Sequence, residues 1–195
     1  HSDPERMNFN LSEGLGTVSY ISELDRGHVI RILVNEHRIL YDHLHGMDEI
    51  KKQIFNLESP LDHPELFVKL IHIADHLNHV DKHHAREELL YSILKKLDGS
   101  SHIEVLKSEH EFLTDYKRKF SLHIQHMEAM DFKSYKLQMN YMANGIIGIL
   151  REHIYLENQS VFPNALNVIK DESTWSELKD EFDEIGYYFE KMMLL

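Results

Sequence analysis

The chain twice sets an imidazole and a carboxylate four residues apart, as His83-x-x-x-Glu87 and His153-x-x-x-Glu157. Four residues is about one helical turn, so each pair shares a helix face. Two more histidines, His37 and His110, stand inside stretches whose apolar residues recur at helical spacing. Four helices that each turn one of these histidines inward, two of them adding a glutamate, supply six nitrogen and oxygen donors and no sulfur. Such a set suits iron or manganese, with zinc or another metal as an alternative. A lone histidine on an apolar face is more often a hydrogen-bonded core residue than a ligand. Here four coincide, and two carboxylates buried beside them are costly without a cation or hydrogen-bonding partners. The expected metal ligands are His37, His83, Glu87, His110, His153 and Glu157.

Helices must bring those donors to one level. Apolar residues recur at helical period almost throughout and no stretch alternates like a strand, which predicts an all-α chain. A first helix spans about 25–57, with Ile30, Leu33, Val34, His37, Leu40 and Leu44 on one face. The segment from Ser59 to Pro64 breaks it, and Pro64 suits the first turn of a second helix running to about Leu97. Asp98, Gly99, Ser100 and Ser101 stop that one. A third covers about 102–129 and a fourth runs from about Phe132 until Pro163 ends or kinks it. A fifth, about 173–192, sets Trp175, Leu178, Phe182, Ile185 and Phe189 at steps of three and four, as an amphipathic cover. Residues 1–23 read as an irregular lead-in, with 1–6 as a tag remnant, and 24–195 as one domain.

Residue counts test the common level. Twenty residues separate His37 from Leu57 and nineteen separate Pro64 from His83, about 30 and 28.5 Å of helix. The third and fourth helices give nineteen (His110 to Ala129) and twenty-one (Phe132 to His153), while the second and third match less well. Short connections favour an up-down-up-down four-helix bundle with the histidines in one central layer. The second helix offers two registers, because His83-His84 is followed by Glu87-Glu88. Glu87 continues into Leu90, Leu94 and Leu97, whereas Glu88 leads to Tyr91, Ser92 and Lys95, a half-wet face. His83 and Glu87 are therefore the expected ligands, and His84 and Glu88 flank them.

Composition narrows the function. At 195 residues and 42% hydrophobic, the chain fits one domain with a sizeable core. A formal charge of -12 argues against nucleic acid or anionic membrane as a main partner. The absence of cysteine excludes disulfides, thiolate ligands and cysteine-bound iron–sulfur clusters. No apolar run approaches the roughly 20 residues of a membrane span. No basic-then-apolar signal segment is present, so the expected compartment is cytoplasmic.

Glu36-His37-Arg38, His83-His84-Ala85-Arg86-Glu87-Glu88, Glu109-His110-Glu111 and His153-Ile154-Tyr155-Leu156-Glu157, followed by Val161-Phe162-Pro163, resemble the four helical signatures of the hemerythrin-like, or HHE cation-binding, superfamily. The resemblance covers about residues 24–166. Beyond it, Trp175 and the stretch from Asp183 to Tyr187 are similar to a tail in some bacterial and archaeal members. The resemblance implies a non-haem di-iron centre bridged by Glu87, Glu157 and an oxo or hydroxo group. Oxygen-carrying members place a further histidine one turn after the third-helix ligand, where this chain has Thr114, and an aspartate where it has Glu157. In this the chain is more similar to the iron-sensing and iron–sulfur-repair branches. One fewer histidine leaves an open or water-filled coordination position, better suited to reaction or exchange than to reversible carriage.

Three functions follow from that resemblance. The first is a sensor, scavenger or store that binds or reacts with O2, NO or peroxide. The second is iron handling or iron–sulfur repair, weakened because repair members rely on a cysteine-bearing segment. The third is a regulatory module whose metal holds the bundle together, with the acidic surface and fifth helix facing a protein partner. A further polar layer is expected below the ligands, from Tyr41, His79 and Thr114 and then His45, His76 and Lys117. Of these, Tyr41 is expected beside the site, while His72, His76 and Lys117 lie on a stripe that drifts outward to water.

Overall fold

The computed structural model describes residue 16, residues 18–97 and residues 102–188. After a short 3-10 turn at Ser19–Glu23 come α1 (Val29–Phe55), α2 (Pro64–Asn78), α3 (Asp81–Leu97), α4 (Ile103–Gln125) and α5 (Phe132–Leu156). The chain then passes through a π turn at Glu157–Val161 into α6 (Phe162–Val168) and α7 (Glu172–Ile185). No strand occurs among the described residues, and none of their helices is long and apolar enough to cross a membrane. In space α1 packs on α2 and α5, and α4 packs on α2, α3 and α5. Sequence neighbours are thus spatial neighbours, and the four legs form the expected bundle.

Three of the helices, α1, α5 and α7, begin at a side-chain cap. The His28 imidazole accepts from the Ile30 amide at 3.2 Å, and Asp131 accepts from the Ser134 amide at 3.0 Å. Asp171 caps α7 in the same way through Ser173. Pro64 occupies the first turn of α2, where its missing amide hydrogen has no helical partner to lose.

Three boundaries depart from the pattern read in the sequence. The second leg is two helices, because Lys117 on α4 donates to the Leu77 carbonyl at 3.0 Å and to the Asp81 carboxylate at 2.8 Å. That gives α2 a terminus and α3 a start, with only a tight turn at His79 and Val80 between them. Pro163 does not end the fourth leg, which continues as helix to Val168. A π turn absorbs its missing donor, with the Phe162 amide reaching back to the Glu157 carbonyl. Last, α7 closes at Ile185, where Gly186 takes φ +82°, a conformation open to glycine, and the chain folds back. Phe189 and residues 190–192 of the expected fifth helix, and the 1–6 remnant, lie outside the described residues. Within the lead-in, residues 19–23 are helical rather than irregular.

Two apolar clusters sandwich a polar layer. One contains Leu40, Leu44, Leu77, Leu113, Ile146 and Leu150. The other contains Ile30, Leu33, Leu90, Leu106, Phe162 and Phe182. Between them in sequence on every leg stand the histidines and glutamates: 37 on α1, 83 to 87 on α3, 110 on α4, and 153 to 157 at the end of α5. This placement carries the site.

Candidate metal centre

The six expected donors converge and are all buried. His37 and His83 face one oxygen of Glu87, with Nε2 to Oε1 distances of 3.1 and 2.6 Å. His110 Nε2 faces the other oxygen, Oε2, at 3.3 Å. Glu157 Oε2 stands between His37 at 3.2 Å and His153 at 3.5 Å. Both carboxylates therefore lie between a His37–His83 pair and a His110–His153 pair. Glu87 belongs to two groups with metal-holding geometry, one with His37 and His83 and one with His84, His110 and His153.

Every one of those four imidazoles is held from behind by a neighbouring leg. Nδ1 of His83 bonds Glu36 at 2.7 Å, that of His110 bonds Glu88 at 3.1 Å, that of His153 bonds Glu109 at 2.7 Å, and that of His37 bonds Asn158 at 2.9 Å. The supports run in a cycle: α1 holds α3, α3 holds α4, α4 holds α5, and the π turn after α5 holds α1. With an acceptor at Nδ1, each ring in its neutral form keeps its proton there and presents a lone pair at Nε2. All four acceptors sit next in sequence to a donor: Glu36 before His37, Glu88 after Glu87, Glu109 before His110, Asn158 after Glu157. The sequence reading missed their role, although that adjacency was a visible signal.

The donor chemistry fits a cation. His110 Nε2 and His153 Nε2 lie 3.0 Å apart with both opposite nitrogens committed to acceptors, so the two rings in neutral form would aim lone pairs at one point. Nitrogens bound about 2.1 Å from one ion sit about 3.0–3.4 Å apart, which is this spacing. His83 Nε2, Glu87 Oε2 and Glu157 Oε2 are buried and make no hydrogen bond. Such orphaned groups cost about 1–3 kcal/mol each unless something charged satisfies them.

Electrostatics point the same way. Burial alone would lower the imidazoles, but the Glu157 and Glu87 carboxylates beside His37 outweigh that and raise it to about 10. At His153 burial is likewise overcome by the Glu157 charge and a Glu109 bond, to about 10. Burial opposes the charge of Glu87, yet His83, His110 and His37 hold that carboxyl well below its usual range. Burial and the nearby Glu87 would raise Glu157, and His153 and His37 bring it down. The layer is an anionic cage that holds positive charge. Tyr91 donates its hydroxyl hydrogen to Glu157 Oε1 and is itself pushed far up by burial and the Glu157 charge, so it stays protonated.

Several expectations are corrected. His84, expected only to flank the ligands, is buried among them, stacked on His110 with centroids 4.0 Å apart and planes 8° from parallel. Tyr91, expected on a half-wet face, is fully buried, because α3 packs against α4 on one side and α7 and α6 on others. Glu88 stays partly exposed, so the carboxylate register matches the one read from the leucine stripe. The second polar layer does not form: His45 and His79 are exposed, and Thr114 is turned outward to Asp81 at 3.2 Å, while His72 reaches water as expected. Lys117 is buried at the α2–α3 break instead of reaching water. Tyr41 is buried one turn below His37 in the lower apolar cluster, with the Arg151 guanidinium 5.3 Å from its ring centre.

A family model of the hemerythrin HHE cation-binding domain matches residues 28–165. The chain belongs to that family. No curated protein matches it. The matched span runs from the cap of α1 into α6 and contains every donor and outer acceptor described above. What it leaves out is α7 and the turn behind it, which this HHE domain packs onto its own centre. The buried Arg86 guanidinium donates to both oxygens of Glu36 at 2.7 and 2.6 Å, and the Tyr188 amide donates to Glu36 at 2.9 Å. Phe182 and Tyr187 lie over that guanidinium at 5.5 and 4.9 Å.

A surface cleft reaches the layer between α3 and α4. This cleft, of about 390 Å³, is lined by His84 and His110 at its base and by Asp81, Glu88, Glu111 and Thr114 around them. A larger groove of about 1170 Å³ runs along the outer α4–α5 face past Tyr116, Leu137 and Tyr141 and includes none of the donors.

Proposed function

We propose that the protein holds two iron ions and binds or reacts with a small neutral molecule, O2, NO or peroxide, as a sensor, scavenger or iron-handling protein. The observation that carries this reading is the position of Glu87 and Glu157 between two histidine pairs. His37 and His83 would hold one ion, His110 and His153 the other, and the two carboxylates would serve both. Bound iron would supply one-electron redox change and affinity for diatomic molecules; manganese or zinc would fit the donors without the same reactivity. The chain's own residues do the rest. Glu36, Glu88, Glu109 and Asn158 keep each imidazole in one tautomer and orientation, and Tyr91 holds a proton on one oxygen of Glu157. The acidic rim of the cleft repels anions and admits neutral molecules and cations.

Metal analysis and spectroscopy test it. Iron-loaded protein should contain about two ions per chain, and His83→Ala and Glu157→Ala should contain fewer. Full retention in both variants sinks the assignment. Mixing the reduced protein with oxygen and then purging it distinguishes a reactive centre from a carrier. A spectrum that returns completely over many cycles would mark a carrier and refute the reactive reading.

A second reading, a regulatory module with a structural metal, draws on α7. Its following turn touches Glu36, which holds His83, so the centre and the C-terminal cover share one carboxylate.

A further inference from the structure

We infer that His84 is a seventh protein ligand, completing the metal position of His110 and His153 from α3, where Thr114 on α4 supplies nothing. The inference rests on the two-metal reading and extends it. A ligand atom of His84 lies within 4.8 Å of ligand atoms of Glu87, His110 and His153, each offering one. Its Nδ1 is buried and makes no hydrogen bond. The other four imidazoles all have an acceptor at Nδ1, whereas the buried Nδ1 of His84 has none. A core histidine kept for packing would be expected to satisfy that nitrogen; a ligand leaves it for an ion.

Its neighbours set the direction. The ring lies parallel to His110 at 4.0 Å and 5.8 Å from the His153 ring. His83 and His84 are adjacent on α3 and about 100° apart around its axis. One therefore joins His37 and the other joins His110 and His153, with Glu87 one turn on between them. His84 is also at the base of the cleft. A molecule entering there meets His84 before any other donor except His110, so displacement of this imidazole would free a coordination position.

Cobalt(II) titration of the whole chain tests this, because visible absorption reports the donors around each ion. His84→Phe keeps a stacked ring and removes the nitrogen. Wild type should take two ions; His84→Phe should keep the first and bind the second about 10- to 100-fold more weakly, with altered absorption of that ion. His84→Gln repeats the measurement with a smaller side chain, should the phenyl ring crowd the layer, and should show the same loss. Two ions bound with unchanged affinity and absorption in either folded variant overturn the inference and leave the two-metal reading standing. A wild type that takes fewer than two ions overturns both.

Discussion

Glu36 on α1 holds Nδ1 of His83 on α3 at 2.7 Å, and the same carboxylate takes both the Arg86 guanidinium and the Tyr188 amide. One buried side chain thus orients a metal donor, neutralises a buried cation and anchors the turn after α7. Burial opposes its charge, and His83, Arg86 and Tyr188 together keep its carboxyl below the usual range.

Glu36→Gln should weaken metal binding about 10- to 100-fold, the usual effect of losing an acceptor behind a ligand imidazole. It should also destabilise the fold by about 3–5 kcal/mol, since Arg86 is left buried without its anion. Calorimetric titration and chemical denaturation measure the two effects separately. Unchanged metal affinity would show that His83 needs no support from α1.

Glu87 and Glu88 provide a comparison between adjacent residues. Glu87→Gln should lose or alter the bound metals, because Glu87 faces three of the imidazoles. Glu88→Gln should keep both, since the amide oxygen still accepts from His110 Nδ1 in a half-exposed position. Metal content and absorption of the two variants decide it, and the reverse result would move the carboxylate ligand to Glu88.

Metal removal should lower the melting temperature. An ion that binds only the folded chain stabilises it by about 3–4 kcal/mol at 100 to 1,000 times its dissociation constant. A melting curve unchanged after verified chelation would mean that the layer is stable without a cation.

Chelated protein should lose stability over a pH interval in which the metal-loaded protein keeps it. His37 and His153 rise from 6.5 to about 10 in the folded chain. A raised group contributes stability that is complete below its unfolded value and fades as pH climbs through its folded value. Chelated protein should therefore lose stability between about pH 6.5 and 10. Metal displaces those protons, so the extra stability that metal confers should grow over the same interval. Denaturation series at fixed metal concentration check both slopes, and parallel slopes would refute the shared-cage account.

Helical period and the matching levels of His37, His83, His110 and His153 were legible in the chain alone. They are properties of single helices, written in the spacing of apolar residues along each leg. The burial of Glu87 rather than Glu88 was legible for the same reason, since the leucine stripe marks the face of α3 that turns inward. What tertiary structure decided was everything that depends on a second element. His84 and Tyr91 are buried because α4, α6 and α7 cover more of α3 than one stripe predicts. The α2–α3 break depends on Lys117 from a distant helix satisfying the Leu77 carbonyl. The cycle of Glu36, Glu88, Glu109 and Asn158 exists only once the legs are rotated against one another, because each acceptor serves a histidine on the next leg rather than its own.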